Sequence, residues 1–173
     1  MPEPRLPFDP IDRAGELWEQ HFGDAVAMRL ATSVMRVQQL MISALDSALK
    51  PFGLTFSRYE VLVLLHFSRA GSLPLSKIGE RLMVHPTSVT SAIDRLEAQG
   101  FVERVPDAAD RRRTLARLTP AGRSTVKKAT KAIDAIDFAV TGLDPRAQED
   151  TYTLLRRLRQ AAGDFPPDEQ AGL

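Results

Sequence analysis

The apolar positions of the chain recur as a succession of helical stripes. From Ile11 to Phe22, the residues Ile11, Ala14, Trp18 and Phe22 fall on one side, and "GD" at 23 and 24 supplies a break and an N-cap. A longer helix follows, with Val26, Leu30, Val34, Val37, Met41, Leu45 and Leu49 in steps of four and three until "KPFG" stops it. Ser57 with Glu60 reads as a capping box, flanked by Phe56 and Val61 as a hydrophobic staple, so the next helix is predicted to begin at Arg58. Its body, "YEVLVLLHF", is apolar on nearly every side, which predicts a central helix contacted by several neighbours; a buried strand is the alternative. "AGSLP" ends it, and a short helix "SKIGERL" comes next.

The stretch "VHPTSVTSAIDRLEAQGF" then predicts a helix opened by Pro86 and stopped by Gly100. Val89, Ala92, Ile93 and Leu96 form its inner side, while Thr87, Ser91, Asp94 and Ala98 lie opposite. Such an outer face is unusual, because Ser and Thr are mediocre helix formers that compete for backbone hydrogen bonds. After Gly100, "FVERV" and "LARLT" alternate around "PDAADRRRT", the pattern of a β-hairpin with a charged tip. Thr119 and Pro120 cap a long helix with Val126, Ile133, Ile136 and Val140 at steps of seven, three and four. Asp144 and Pro145 open a last helix that places Tyr152, Leu155 and Leu158 on its apolar side. The prediction is a mainly α protein with one small β-hairpin. It divides into a tail at 1–10, an N-terminal helix and first long helix at 11–55, a central region at 56–119, two closing helices at 120–163 and a tail at 164–173, all one intertwined domain.

Composition narrows the function. The 173 residues suffice for one domain with a real core, and the net charge of +1 means that any basic surface must be local. The absence of cysteine excludes disulfides, thiolate zinc sites, thiol nucleophiles and thiol-based peroxide sensing. His21, His66 and His85 have no metal-ligand spacing, so neither a metal nor another cofactor is expected. "MPEPRLPFDP" contains no apolar signal core, and no run approaches the roughly 18 apolar residues of a membrane span, so a cytoplasmic protein is predicted. There is no glycine-rich phosphate loop and no Ser/His/Asp signature.

Two helices joined by "MVH", with a basic hairpin directly after the second, have the order of a winged helix-turn-helix. That order accounts for the hydroxyl-bearing face. A major groove about 12 Å wide admits a helix most closely when its outer residues are short, and hydroxyls can meet phosphates or base edges. Gly79, with Ile78 and Leu82, would permit the close crossing of the two helices. From Leu75 to Thr119 there are eight basic residues against six acids, but three of the basic ones, Arg111, Arg112 and Arg113, are consecutive at the hairpin tip. Arginine suits phosphates and narrow minor grooves.

The run "SKIGERLMVHPTSVTSAIDRLEAQGFVERV", then "DRR", then "LTPAG" resembles the MarR family of bacterial transcription regulators over about residues 24 to 162. The resemblance implies a homodimer, interlocked through the first long helix and the last two. It implies a regulator, as a rule a repressor, that binds a pseudo-palindromic double-stranded operator and is released by a small anionic or aromatic ligand. By position, Asp110 resembles the wing acid that braces Arg112 in the minor groove, with Arg111 and Arg113 flanking it on phosphates. Thr87, Ser88, Thr90, Ser91 and Arg95 correspond to the exposed recognition surface, with Ser88 and Arg95 toward its edge; Lys77 is a further candidate DNA contact, and His85, just before the helix, is a cap or a phosphate contact. The N-terminal helix with Trp18 is similar to the urate-responsive subgroup. That subgroup also uses an acid near the end of the helix preceding the winged motif, where this chain reads "HFSRAGSL" and has none.

Trp18, Arg58 and His66 are candidate ligand residues, each with a plainer alternative: packing for Trp18, solvation for Arg58 and a hydrogen-bonded core position for His66. Two other functional classes remain open at this level. One is a DNA-binding architectural or partner-controlled protein without a small-molecule ligand, and the other is a small helical enzyme.

Overall fold

A computed structural model of the chain describes residues 6–108, 110 and 113–166. Their order is α1 (Pro10–Phe22), α2 (Val26–Leu49), a 3-10 turn (Lys50–Phe52), α3 (Phe56–Phe67), β1 (Ser72–Pro74), α4 (Leu75–Leu82), α5 (Pro86–Ala98), β2 (Val102–Pro106), β3 (Thr114–Leu118), α6 (Pro120–Asp134), a second 3-10 turn (Asp137–Ala139) and α7 (Pro145–Ala161). This is the mainly helical winged helix-turn-helix fold that the sequence predicts. None of the described helices is long and apolar enough to cross a membrane.

Local chemistry sets most of the boundaries. Asp9 caps α1, its Oδ1 accepting from Ile11 N at 2.8 Å, with Pro10 in the first turn, so these two residues belong to the helix start and not to a tail. Asp24 Oδ1 accepts from Val26 N at 3.1 Å at the head of α2. Asp144 accepts from Ala147 N at 2.8 Å at the head of α7. At the other end of α7, Asp164 lies 3.5 Å from Arg159, and the Phe165 ring sits under the guanidinium groups of Arg156 and Arg159.

Three boundaries depart from the sequence expectation. The Ser57/Glu60 capping box does not form: α3 starts at Phe56 with Thr55 at the cap position, and the Phe56 N–H is taken at 2.7 Å by Asp46 of α2, ten residues back. The segment expected only to end α3 contains β1, a third strand. It adds to the hairpin in the order β1-β3-β2, all antiparallel, with Leu73 opposite Ala116 and Val102 opposite Leu118. The helix expected to run through Val140 stops at Asp134. There the chain turns through Asp137, Phe138 and Ala139, all with positive φ, and Gln148 Nε2 of α7 donates to Asp137 Oδ2 at 2.9 Å. That tertiary bond falls on "DAIDFAV", which contains neither Gly nor Pro to announce a break.

The core lies under the winged motif. Leu45 and Leu49 of α2, Val61, Leu62 and Leu65 of α3, Ile78 of α4, Val89, Ile93 and Leu96 of α5, and Val126, Ala129 and Ile133 of α6 form one buried cluster. Tyr59 joins it and shares a 3.0 Å hydrogen bond with Thr130. By contrast, the N-terminal part of the α2 stripe and the apolar side of α7 lack cover. Val26 and Leu30 are 66% and 57% exposed, and Tyr152, Leu154 and Leu158 are each more than half exposed.

One glycine fixes how the wing meets α6. Thr119 Oγ1 accepts from Gly122 N at 3.0 Å and donates to Gly100 O at 2.7 Å, which stitches the head of α6 to the start of β2. A Cβ on Gly122 would overlap the carbonyl of Phe101 and come within 2.8 Å of Leu118 Cδ1. Gly122→Ala is therefore expected to destabilise the protein by about 2–4 kcal/mol, because the obstacle is backbone that cannot swing aside. Urea denaturation measures this, and an unchanged midpoint would show that α6 and the wing can separate without loss.

Candidate nucleic-acid interface

Helix α5 begins at His85, whose Nδ1 accepts from Thr87 N at 3.2 Å, with Pro86 in the first turn. His85 is thus the cap of the helix. Val89, Ile93 and Leu96 are buried and Thr87 and Ser91 exposed, as the helical spacing predicts, and Ser88, Thr90 and Arg95 are exposed beside them. Thr90 Oγ1 donates back to Pro86 O at 3.1 Å. The approach of α4 is as close as the motif requires: a Cβ on Gly79 would stand 3.2 Å from both Val84 O and Val89 Cγ2. Lys77 of α4 is exposed but bonded at 2.7 Å to Glu80, whose carboxyl it holds below the usual range through that hydrogen bond.

Charge on the outer side of α5 is managed by the wing. Arg104 of β2 bonds Asp94 at 2.5 Å and also bonds Glu97, so the two acids of the helix share one guanidinium. The hydrogen bond to Asp94, and then that to Glu97, holds the Arg104 proton more firmly than usual. Arg117 of β3 pairs with Glu103 across the hairpin at 2.8 Å. At the tip, Arg113 Nε lies 3.3 Å from Asp110 Oδ2, and Arg113 N donates to Asp110 O at 2.8 Å. Arg111 and Arg112 lie outside the described residues.

Two hollows flank these elements. The first, about 600 Å3, is a shelf between the start of α3 and one edge of α5, lined by Thr55, Ser57, Arg58, Ser88, Ser91 and Arg95 among others. The second, about 750 Å3, lies between α3, α4, α6 and the second 3-10 turn. Phe56, Tyr59, Val63, Phe67, Leu82, Val126 and Phe138 make its walls apolar, and Glu60, His66, Lys127 and Lys131 add polar groups. Burial alone pushes the Glu60 carboxyl above its ordinary range. His66 Nδ1 lies 3.4 Å from Arg123 Nη1.

Of the three ligand candidates, the second hollow takes one. His66 lines it, in a half-buried position. Arg58 does not: two residues before Glu60, it falls on the other side of α3, at the shelf beside α5. Trp18 does not line it either, and its ring packs on Phe22 of α1 at 5.0 Å between centroids. Sequence reasoning missed Thr55 and Ser57, whose place beside α5 depends on the α3–α5 crossing, and Phe138, which reaches the hollow only through the turn after α6. Among the described residues no group of three or more His, Asp or Glu could hold a metal ion.

Comparisons with known proteins agree with this architecture. The MarR family model matches residues 54–114, which run from just before α3 to the first residue of β3. YhbI of Bacillus subtilis (strain 168), an uncharacterized HTH-type transcriptional regulator, is 33% identical over 121 residues, covering 70% of this chain and 73% of that protein. The crystal structure of Sco5413, a MarR family transcriptional regulator from Streptomyces coelicolor, superposes with a TM-score of 0.74 at 49% identity, covering 82% of this chain and 98% of that one. CouR from Rhodococcus jostii RHA1, bound to p-coumaroyl-CoA, superposes with a TM-score of 0.68 at 26% identity over 82% of this chain and 95% of its own. YhbI and Sco5413 are both transcriptional regulators. With the helix pair, the wing and a relative one-third identical along most of its length, the chain belongs to the MarR family of transcriptional regulators.

Proposed function

We propose that this regulator is a homodimeric repressor that binds a pseudo-palindromic operator and releases it when a small anionic or aromatic ligand enters the hollow between α3 and α6. The observation that carries the reading is the position of that hollow. One wall belongs to α3 and α4 beneath the DNA-reading helix, and the other to α6 and the turn that leads to the uncovered helix α7. An occupant therefore touches both halves at once. The lining suits an apolar body with an acidic end, because Phe56, Tyr59 and Phe138 offer ring surface while Lys127 and Lys131, one turn apart on α6, offer charge. The ligand that CouR holds, p-coumaroyl-CoA, contains an aromatic acyl group, which favours the same class here.

On DNA, Thr87, Ser88, Thr90, Ser91 and Arg95 would meet the major groove and its edges, and Lys77, His85 and the wing arginines 111–113 the backbone or minor groove. Asp110, which contacts Arg113, would orient the tip. The uncovered stripes of α2 and α7 support the dimer, since together they leave Val26, Leu30, Tyr152, Leu154 and Leu158 in water. The alternative of an architectural protein without a ligand has no comparable feature in its favour.

Three measurements test this reading. Sedimentation should find a dimer at micromolar concentration, and Leu30→Glu should weaken it roughly tenfold or more without unfolding the winged motif; a monomer that still binds a pseudo-palindrome sinks the dimer. A thermal-shift panel of aromatic acids, urate and acyl-CoA thioesters should contain a compound that stabilises the protein, by about 2.7 kcal/mol at a hundredfold excess over its Kd. That compound must lose affinity on saturating operator by the same factor by which it weakens operator binding, about 1.4 kcal/mol for each tenfold. A stabilising compound with no such reciprocal loss is not the effector. Finally, Arg104→Gln should weaken DNA binding roughly three- to tenfold at low salt by unmasking Asp94 and Glu97. Adding Asp94→Asn and Glu97→Gln should restore it; full affinity in Arg104→Gln alone would show that these acids do not face DNA.

A further inference from the structure

The shelf between α3 and α5 is lined by two arginines, Arg58 from one helix and Arg95 from the other, and its other polar lining residues are the hydroxyl-bearing Thr55, Ser57, Thr87, Ser88 and Ser91. Each described arginine of the wing is matched by an acid: Arg104 by Asp94 and Glu97, Arg113 by Asp110, Arg117 by Glu103. Arg58 and Arg95 have no carboxylate within ion-pair distance among the described residues. Arg58 Nε donates to Thr55 Oγ1 at 3.2 Å, which steadies the side chain and leaves its two Nη groups for another acceptor. Two like charges gathered without a counter-charge, among hydroxyl donors, form a site for an oxyanion.

We infer that the shelf is a phosphodiester clamp. With α5 in the major groove, Arg58 and Arg95 grip one backbone phosphate at the groove edge, one from the core helix and one from the reading helix. The inference rests on the DNA-binding reading above and adds a contact from α3, outside both the helix pair and the wing. The opposite edge of α5 is where Asp94 and Glu97 stand with Arg104, so the helix has a neutralised side and a cationic side. A DNA strand passing the cationic side meets charge at Arg95 and Arg58 together. The oxyanion could also come as a small free anion, but a hollow open along α5 and continuous with its exposed hydroxyl row fits a polymer backbone better than an isolated ion.

The test uses the full chain and a labelled mixed-sequence duplex of about 30 bp, with anisotropy titrations at several salt concentrations. Arg58→Ala and Arg95→Ala should each weaken binding roughly three- to tenfold, and each should flatten the plot of log K against log salt by up to about 0.9, the share of one phosphate. Because both arginines hold the same phosphate, the double variant should lose less than the product of the two single losses. Arg58→Lys keeps the charge and should keep the slope while losing part of the affinity, since an ammonium lacks the guanidinium fork. It also serves if Arg58→Ala fails to fold, and thermal midpoints identify such a failure. Wild-type affinity and slope in folded Arg58→Ala overturn the clamp, as do single losses that multiply fully in the double variant. Loss of inorganic phosphate binding without any change in duplex binding would assign the shelf to a free anion and overturn the inference too. A wild-type protein that fails to bind the duplex at any salt concentration would instead overturn the DNA-binding reading itself.

Discussion

Helix α3 has almost no face to give to water, and the rest of the molecule is arranged around that constraint. Val61, Leu62 and Leu65 are buried, Tyr59 is nearly so, and α2, α4, α5, α6 and β3 all touch the helix. Burying such a segment is the largest favourable term available to a small core. Its consequences reach both functional regions. On one side, Phe56, Tyr59, Glu60 and Val63 wall the larger hollow; on the other, Ser57 and Arg58 come out beside α5. A single rigid helix is thus shared by the chamber proposed for the effector and the shelf proposed for DNA.

The electrostatics explain how a chain of net charge +1 can present a surface for a polyanion. The acids near α5 are not removed but occupied. Asp94 and Glu97 are held by Arg104, and Glu103 by Arg117. Exposed pairs of this sort contribute little to stability, about 0–1 kcal/mol each. Their effect is on the field, since a paired carboxylate repels a phosphate less than a free one. Glu60 is the opposite case: burial in an apolar wall pushes its carboxyl above the ordinary range, so its charged form is disfavoured there.

The parts of the fold legible in the sequence are those decided within one or two turns of chain. The inner face of α5, the His85–Pro86 start, the two wing strands and the Asp144 cap all follow from residues close in sequence. The parts that were not legible depend on distant partners. Phe56 takes its cap from Asp46, so the local Ser57/Glu60 pair lost to a side chain on another helix. The three residues of β1 have a partner only because β3 lies alongside. The turn at Asp137 is held from α7, and the heptad-like spacing through Val140 cannot reveal it. Site residues follow the same division. The exposed hydroxyls of α5 were readable from helical periodicity, whereas Arg58 changed sides because a helix start cannot say what will cross it. The stripe on α2 was readable as apolar, but periodicity alone cannot say what covers it.

The junction at Gly122 has a mechanical consequence. Protein parts that meet through side chains have a compliant layer between them, because rotamers can adjust and absorb small displacements. Between α6 and the base of the wing that layer is missing: the backbone of Gly122 lies directly against the carbonyl of Phe101, and Thr119 bonds across the same seam. The junction therefore behaves as a stiff pivot. A tilt of α6 would bear on the root of β2 through backbone and not through side chains, with the hairpin as the arm beyond it.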